Sequence, residues 1–147
     1  MELNVKQMLA SMIETTADPQ IKEQLERHRR ETDQQIERLA GRLEARGQDT
    51  SAVKDMGAVM GAFFKGMADL ARSDKAGKNA RDGYVTEALE IASYELLERL
   101  AQQAGDEETA QVARTNRGEE EAMRSGIESN WDKVIELTLE EEDVAAG

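Results

Sequence analysis

The sequence predicts an all-α bundle, and three observations carry that prediction. Proline occurs once and aromatic residues make up 3% of the chain, while the good helix formers Ala, Leu, Glu, Arg and Gln are abundant. Apolar residues recur at helical spacing in every long segment. No stretch alternates apolar and polar residues long enough to make a strand. At 147 residues the chain suits one domain, residues 1–147, with enough buried surface to fold without covalent staples.

The first helix is predicted from Glu2 to Thr16, with Val5, Met8, Leu9, Met12 and Ile13 on one side. "TTADPQ" breaks it. Asp18 is a good N-cap and Pro19 suits the first helical position, so a second helix starts there and runs to about Arg46, stopping at Gly47. Its apolar line is Ile21, Leu25, Thr32, Ile36, Leu39 and Leu43, with His28 on the same line. Some thirty residues then separate the second long helix from the third. Within them Ser51 caps a shorter helix to Ala71, where Gly57 and Gly61, four apart, permit close packing on the bundle with some surface left for a partner.

The third long helix is predicted from Ala80 to Gln103, closed by Gly105, and the fourth from the Asp106 cap to about Glu140. The fourth carries Val112, Met123, Ile127, Trp131, Val134 and Leu137 on its apolar line. From about residue 141 the acidic tail should fray. Four long helices joined short, long, short, with an extra short helix in the long crossover, make a ferritin-like four-helix bundle.

The composition also excludes. With no cysteine, thiolate nucleophiles, disulfides and thiolate metal sites are absent, leaving carboxylate, imidazole, carbonyl and water as metal ligands. A formal net charge of -12 repels nucleic-acid phosphates and anionic membranes, so neither is an expected partner. No apolar run approaches the ~18 to 20 residues of a spanning helix, and "MELNVKQMLA" lacks the features of a signal peptide; the expectation is a cytoplasmic protein.

Against this background the polar residues on predicted inner faces stand out. They are His28 and Glu31 on the second helix, Glu87 and Glu90 on the third, and Glu120 on the fourth. Spacing of three puts each pair on a common face. Carboxylates facing one another in a bundle repel and lose hydration, so they need a cation, shared protons or water. A carboxylate-bridged pair of iron or manganese ions is one solution known in bundles, and a wet seam at the core edge is the other. His28 is the only histidine, so a full carboxylate set with two histidines cannot form within one subunit. A hydrolytic triad is disfavoured, because no nucleophile-bearing turn such as G-x-S-x-G is present. Tyr84 and Tyr94 lie three or four residues from the acids, in reach to hydrogen-bond them.

Two stretches carry a family likeness. "IKEQLERHRRETDQQIERL" resembles the second-helix signature of the YciF-like ferritin-like family, a His-x-x-Glu-Thr segment before a Gln/Glu-rich helix. "TEALEIASYELLERLAQQAGDEETAQVARTNRGEEEAM" is similar to that family's third and fourth helices. The resemblance implies a ferritin-like bundle, a homodimer, an association with bacterial stress responses and a carboxylate-rich dimetal site. It places His28, Glu31, Glu87, Glu90 and Glu120 at the matching positions. Two positions depart: Ala88 stands where the third-helix motif usually has histidine, and Leu3 where an acid is common near the start. A lost first-helix carboxylate would open one side of the site and weaken binding of two ions. Two functions follow as expectations: a stress-associated protein with an incomplete iron or manganese site, or a metal-free, non-catalytic dimer acting through protein–protein contacts.

Overall fold

A computed structural model of the chain describes residues 1–48 and 75–141. Five helices lie within them: α1 (Glu2–Thr15), α2 (Pro19–Ala45), α3 (Lys75–Gln103), α4 (Glu107–Ser129) and α5 (Trp131–Glu141). The expected crossover helix from Ser51 to Ala71 and most of the acidic tail fall outside the described residues.

Local chemistry sets the ends. The Asp18 carboxylate accepts from the backbone N–H groups of Gln20 and Ile21 at 2.9 and 3.0 Å, and Pro19 opens α2 as expected. Gly47 and Gly105 adopt φ of +66° and +70°, the left-handed conformation that ends a helix. In each case the following N–H reaches back to a carbonyl of the last turn, Gln48 to Leu43 at 3.0 Å and Asp106 to Ala101 at 2.8 Å. Asp106 also caps α4 by accepting from the Thr109 N–H at 3.1 Å. It pairs with Arg42 at 2.9 Å and with Arg46 as well, tying the α3–α4 turn to the end of α2. Those guanidiniums and the Thr109 hydrogen bonds hold the Asp106 carboxyl well below its usual range.

Two boundaries differ from expectation. Helix α3 covers Lys75–Gln103, so it includes residues before the expected start at Ala80, and Gly77 within it is a point of close approach to α5. A β-carbon there would sit 3.0 Å from Oγ1 of Thr138 on α5, and the Glu141 carboxylate accepts the Ala76 N–H at 3.0 Å. The expected fourth helix divides at Asn130. Its side-chain amide donates to the Gly126 carbonyl at 2.8 Å and to Oε1 of Gln24 at 3.0 Å, competing with the helical ladder. The chain then turns so that α5 packs on α3.

The hairpin α3–α4 is the most extensive contact, α1 lies along α2, and α2 joins the hairpins through α4. The result is the all-α bundle that the sequence predicts. Its apolar core occupies one end, where Val5, Leu9, Met12, Leu25, Met123 and Ile127 meet. Helix α1 has 14 residues against 27 in α2. At 1.5 Å per residue it spans only about half the length of its partner. Its first turn therefore lies deep in the bundle, beside a layer of polar side chains. No helix among the described residues is long and apolar enough to cross a membrane.

Candidate metal centre

The polar layer is built by polar residues at helical spacing on three helices. On α3 the buried line runs Thr86, Glu87, Glu90 and Tyr94, so the face expected to be apolar is acidic at its centre. On α2 it runs Leu25, His28, Thr32 and Gln35, and on α4 Asn116, Glu120 and Met123. Three of these lines meet: His28, Glu87, Glu90 and Glu120 each offer a ligand atom, and those atoms all lie within 4.8 Å of one another. Nε2 of His28 is 3.4 Å from Oε2 of Glu87 and 3.3 Å from Oε2 of Glu120. All four side chains are buried.

Glu31 stands apart. Its side chain is 33% exposed and meets Nδ1 of His28 at 3.3 Å, so it holds the back of the imidazole from the rim. The remaining expected residues thus converge, and Glu31 orients one of them.

The first helix corrects the expectation of a missing carboxylate. Leu3 is 54% exposed and takes no part in the interior. Glu2 is 5% exposed, accepts a hydrogen bond from the Tyr94 hydroxyl and lies against Glu90. The signal was present in the sequence, since Glu2, Val5, Leu9 and Met12 follow a 3–4–3 spacing that puts Glu2 on the buried side. Gln35 and Asn116 were also missed. Nε2 of Gln35 donates to Oε1 of Glu120 at 2.5 Å and to Glu119 at 3.0 Å. Asn116 donates to the Tyr94 oxygen at 3.0 Å and accepts from Arg38, whose other nitrogen binds Glu119 at 2.7 Å. Tyr84, in contrast, is half-buried against the apolar core, with its hydroxyl donating to Glu128 at 3.0 Å and its ring 6.0 Å from that of Trp131.

The electrostatics follow from burial among like charges. Burial raises the Glu90 pKa well above the usual carboxylate value, and Glu2, Glu120 and Glu87 push it further. Burial and Glu87 carry Glu120 up to about 10, with His28 opposing. Glu2 is raised by burial while the Tyr94 hydroxyl opposes the shift. For His28 burial alone would favour the neutral ring, but Glu31, Glu87 and Glu120 carry its pKa up to about 10. His28 in turn lowers Glu31.

These protons do not complete the layer. Among the described residues no hydrogen-bond partner reaches Oε2 of Glu2, Nε2 of His28, either oxygen of Glu87, either oxygen of Glu90, or Oε2 of Glu120. Buried polar atoms are rarely left so; those of His28, Glu87, Glu90 and Glu120 face one region, and Glu2 lies beside Glu90. Several carboxylates and one imidazole are the donor set that suits iron or manganese rather than a soft ion. The residues fit such an ion on that ground.

The sequence match decides the kinship. A family model described as a domain of unknown function, DUF892, matches residues 1–140. The chain belongs to the DUF892 family. Two solved structures resemble this DUF892 chain. One is the protein XCC3681 from Xanthomonas campestris pv. campestris str. ATCC 33913, with 25% identity and a TM-score of 0.78, covering 97% of this chain and 88% of that one. The other is YcfI from Rhodopseudomonas palustris, with 24% identity and a TM-score of 0.68 over 86% of this chain and 83% of that one, a likeness of fold.

Proposed function

We propose that this DUF892 chain is a ferritin-like protein whose core holds a carboxylate-bridged pair of iron or manganese ions, and that it acts as a stress-associated homodimer in the cytoplasm. The reading rests on the orphaned oxygens of Glu87, Glu90 and Glu120 gathered around Nε2 of His28, with the orphaned Oε2 of Glu2 beside Glu90. It is supported by how the helices share the ligands. Ferritin-like dimetal bundles take single carboxylates from two helices and pairs spaced three apart from the other two. Here the singles are Glu2 on α1 and Glu120 on α4, Glu87 with Glu90 on α3 is one spaced pair, and on α2 His28 is the ligand while Glu31, three residues on, orients it. One histidine replaces the usual two.

A bound pair of such ions supplies a redox couple for reaction with oxygen or peroxide. The chain's own residues hold and orient. Glu2, Glu87, Glu90, Glu120 and His28 would hold the ions, and Glu31 fixes the ring through Nδ1. The Tyr94 hydroxyl steadies Glu2 and the Gln35 amide steadies Glu120. Burial keeps bulk water away from Glu2, His28, Glu87, Glu90 and Glu120.

Protein purified without chelator is expected to carry about two iron or manganese ions per chain, as in related bundles. Elemental analysis should show that content lost in Glu87→Ala and Glu90→Ala. No metal in either the parent or the variants would end this reading. Tyr94→Phe, which removes the donor to Glu2 but keeps the ring, should weaken metal binding by about tenfold with helix content unchanged. Unaltered affinity would make Tyr94 a packing residue only.

A specific surface feature favours the alternative, a non-catalytic dimer acting by contact. On the outer side of α3, Val85, Leu96 and Leu100 are 42%, 60% and 59% exposed, and their spacing puts them on one stripe. In light scattering after size exclusion the parent chain should be a dimer and the double variant Leu96→Ser, Leu100→Ser a monomer. A parent chain that stays monomeric at high concentration removes the dimer from both readings.

A further inference from the structure

Beside the acidic layer, at the apolar end of the bundle, lies a cavity of about 270 Å³. It runs from an exposed rim at Glu140 and Glu141 to the buried carboxylate of Glu87, between walls that include Leu9, Leu25, Ile127 and Val134. We propose that it is a binding site for a small amphiphile with an aliphatic body and a neutral or cationic, hydrogen-donating end, such as a medium-chain alcohol or amine. The site goes beyond the dimetal reading and meets it at Glu87, so the donor end of the guest should count most in the metal-free chain.

Size, lining and charge each narrow the occupant. An apolar cavity of about 150 Å³ accepts a benzene ring, so this one takes a body of roughly eight to ten carbon atoms. Most polar groups in the wall are already committed to each other. Asn79 donates to Oγ1 of Thr15 at 3.0 Å, Asn130 donates to Oε1 of Gln24 at 3.0 Å, and Thr16 donates to the Met12 carbonyl at 2.6 Å. Glu87 differs: it is fully buried, neither of its oxygens makes a well-formed hydrogen bond among the described residues, and its contact with Nε2 of His28 is a long 3.4 Å. An O–H or N–H at the inner end of a guest meets that need. A carboxylate or phosphate does not, because no Arg, Lys or His is among the described lining residues, whereas Glu87, Glu140 and Glu141 are. The guest is thereby a donor-ended apolar molecule, seated with its polar end at the edge of the acidic cluster.

The test is calorimetric titration of the full chain, both as purified and after chelator treatment, with n-octanol, n-octylamine and octanoate. The alcohol and the amine should bind once per chain, with octanoate weaker by about tenfold or more, a gap of about 1.4 kcal/mol. Ala80→Leu, which adds a larger side chain to the cavity wall, should weaken the alcohol and amine by a similar factor while circular dichroism stays helical. Should that variant not fold, Leu137→Trp serves in the same way. Absence of saturable binding by alcohol and amine in both metal states, equal binding of octanoate, or parent-like binding by a folded filled variant would each overturn the proposal. Metal content measured on the same samples is a separate readout, so the two readings fail independently.

Discussion

Saturating manganese(II) is expected to raise the melting temperature of the chelator-treated chain by about 10 °C and to leave Glu90→Leu unmoved. A ligand present at a thousand times its dissociation constant stabilises the native state by about 4 kcal/mol, and each kcal/mol moves a chain of this size by about 2–4 °C. The variant should differ before metal is added. Both oxygens of Glu90 are buried without partners, and its carboxyl is crowded by Glu2, Glu120 and Glu87. An apolar side chain of similar volume removes those unmet demands, so metal-free Glu90→Leu should be more stable than the parent by about 1–3 kcal/mol. Scanning calorimetry checks both halves. Equal metal-induced shifts in parent and variant would show that manganese binds elsewhere, and a strongly destabilised variant would show that Glu90 is structurally paired.

The second large effect is a pair of opposed pH profiles. Glu120 rises from 4.5 to about 10 on folding and His28 from 6.5 to about 10, while Glu90 and Glu2 also rise. A raised group favours the folded state fully below its unfolded pKa and loses that contribution as pH climbs toward its folded value. The metal-free chain should therefore lose stability steadily from about pH 5 to about pH 9. Glu31 is lowered and acts the other way, but it is one group, partly exposed. Metal must displace the same protons, so the stabilisation manganese confers should grow over the range in which the metal-free chain weakens. Urea unfolding at several pH values, with and without manganese, gives both curves. Repulsion among surface acids also grows with pH, so Glu120→Gln is the control, and its profile should be flatter. A metal-free profile that is level or rises with pH contradicts the acidic layer's role.

Much of the fold was legible because its punctuation is local. Asp18 with Pro19, Gly47, and Gly105 with Asp106 specify helix ends through contacts a few residues long, and the structure places those ends where the sequence does. The two misplaced boundaries depend on distant partners. The stretch before Ala80 reads as a polar loop until Gly77 is packed against Thr138, and Asn130 reads as an ordinary helical position until Gln24 accepts its amide. The site shows the same division. His28, Glu87, Glu90 and Glu120 were readable because a charge on a buried face contradicts its neighbours. Glu2 was overlooked because family pattern drew attention to Leu3, although the spacing to Val5 indicated Glu2. Gln35 and Asn116 share the helical phase of His28 and Glu120, but an amide on a helix acquires its role only from what faces it across the bundle.

The solitary histidine has a practical corollary. A chain with one imidazole yields one set of ring resonances in a nitrogen-correlated NMR spectrum, and here that ring has Glu31 on one nitrogen and Glu87 and Glu120 facing the other. Tautomer, protonation and paramagnetic broadening at the centre of the molecule are then all reported by a single assignable spin system, without any label being engineered in.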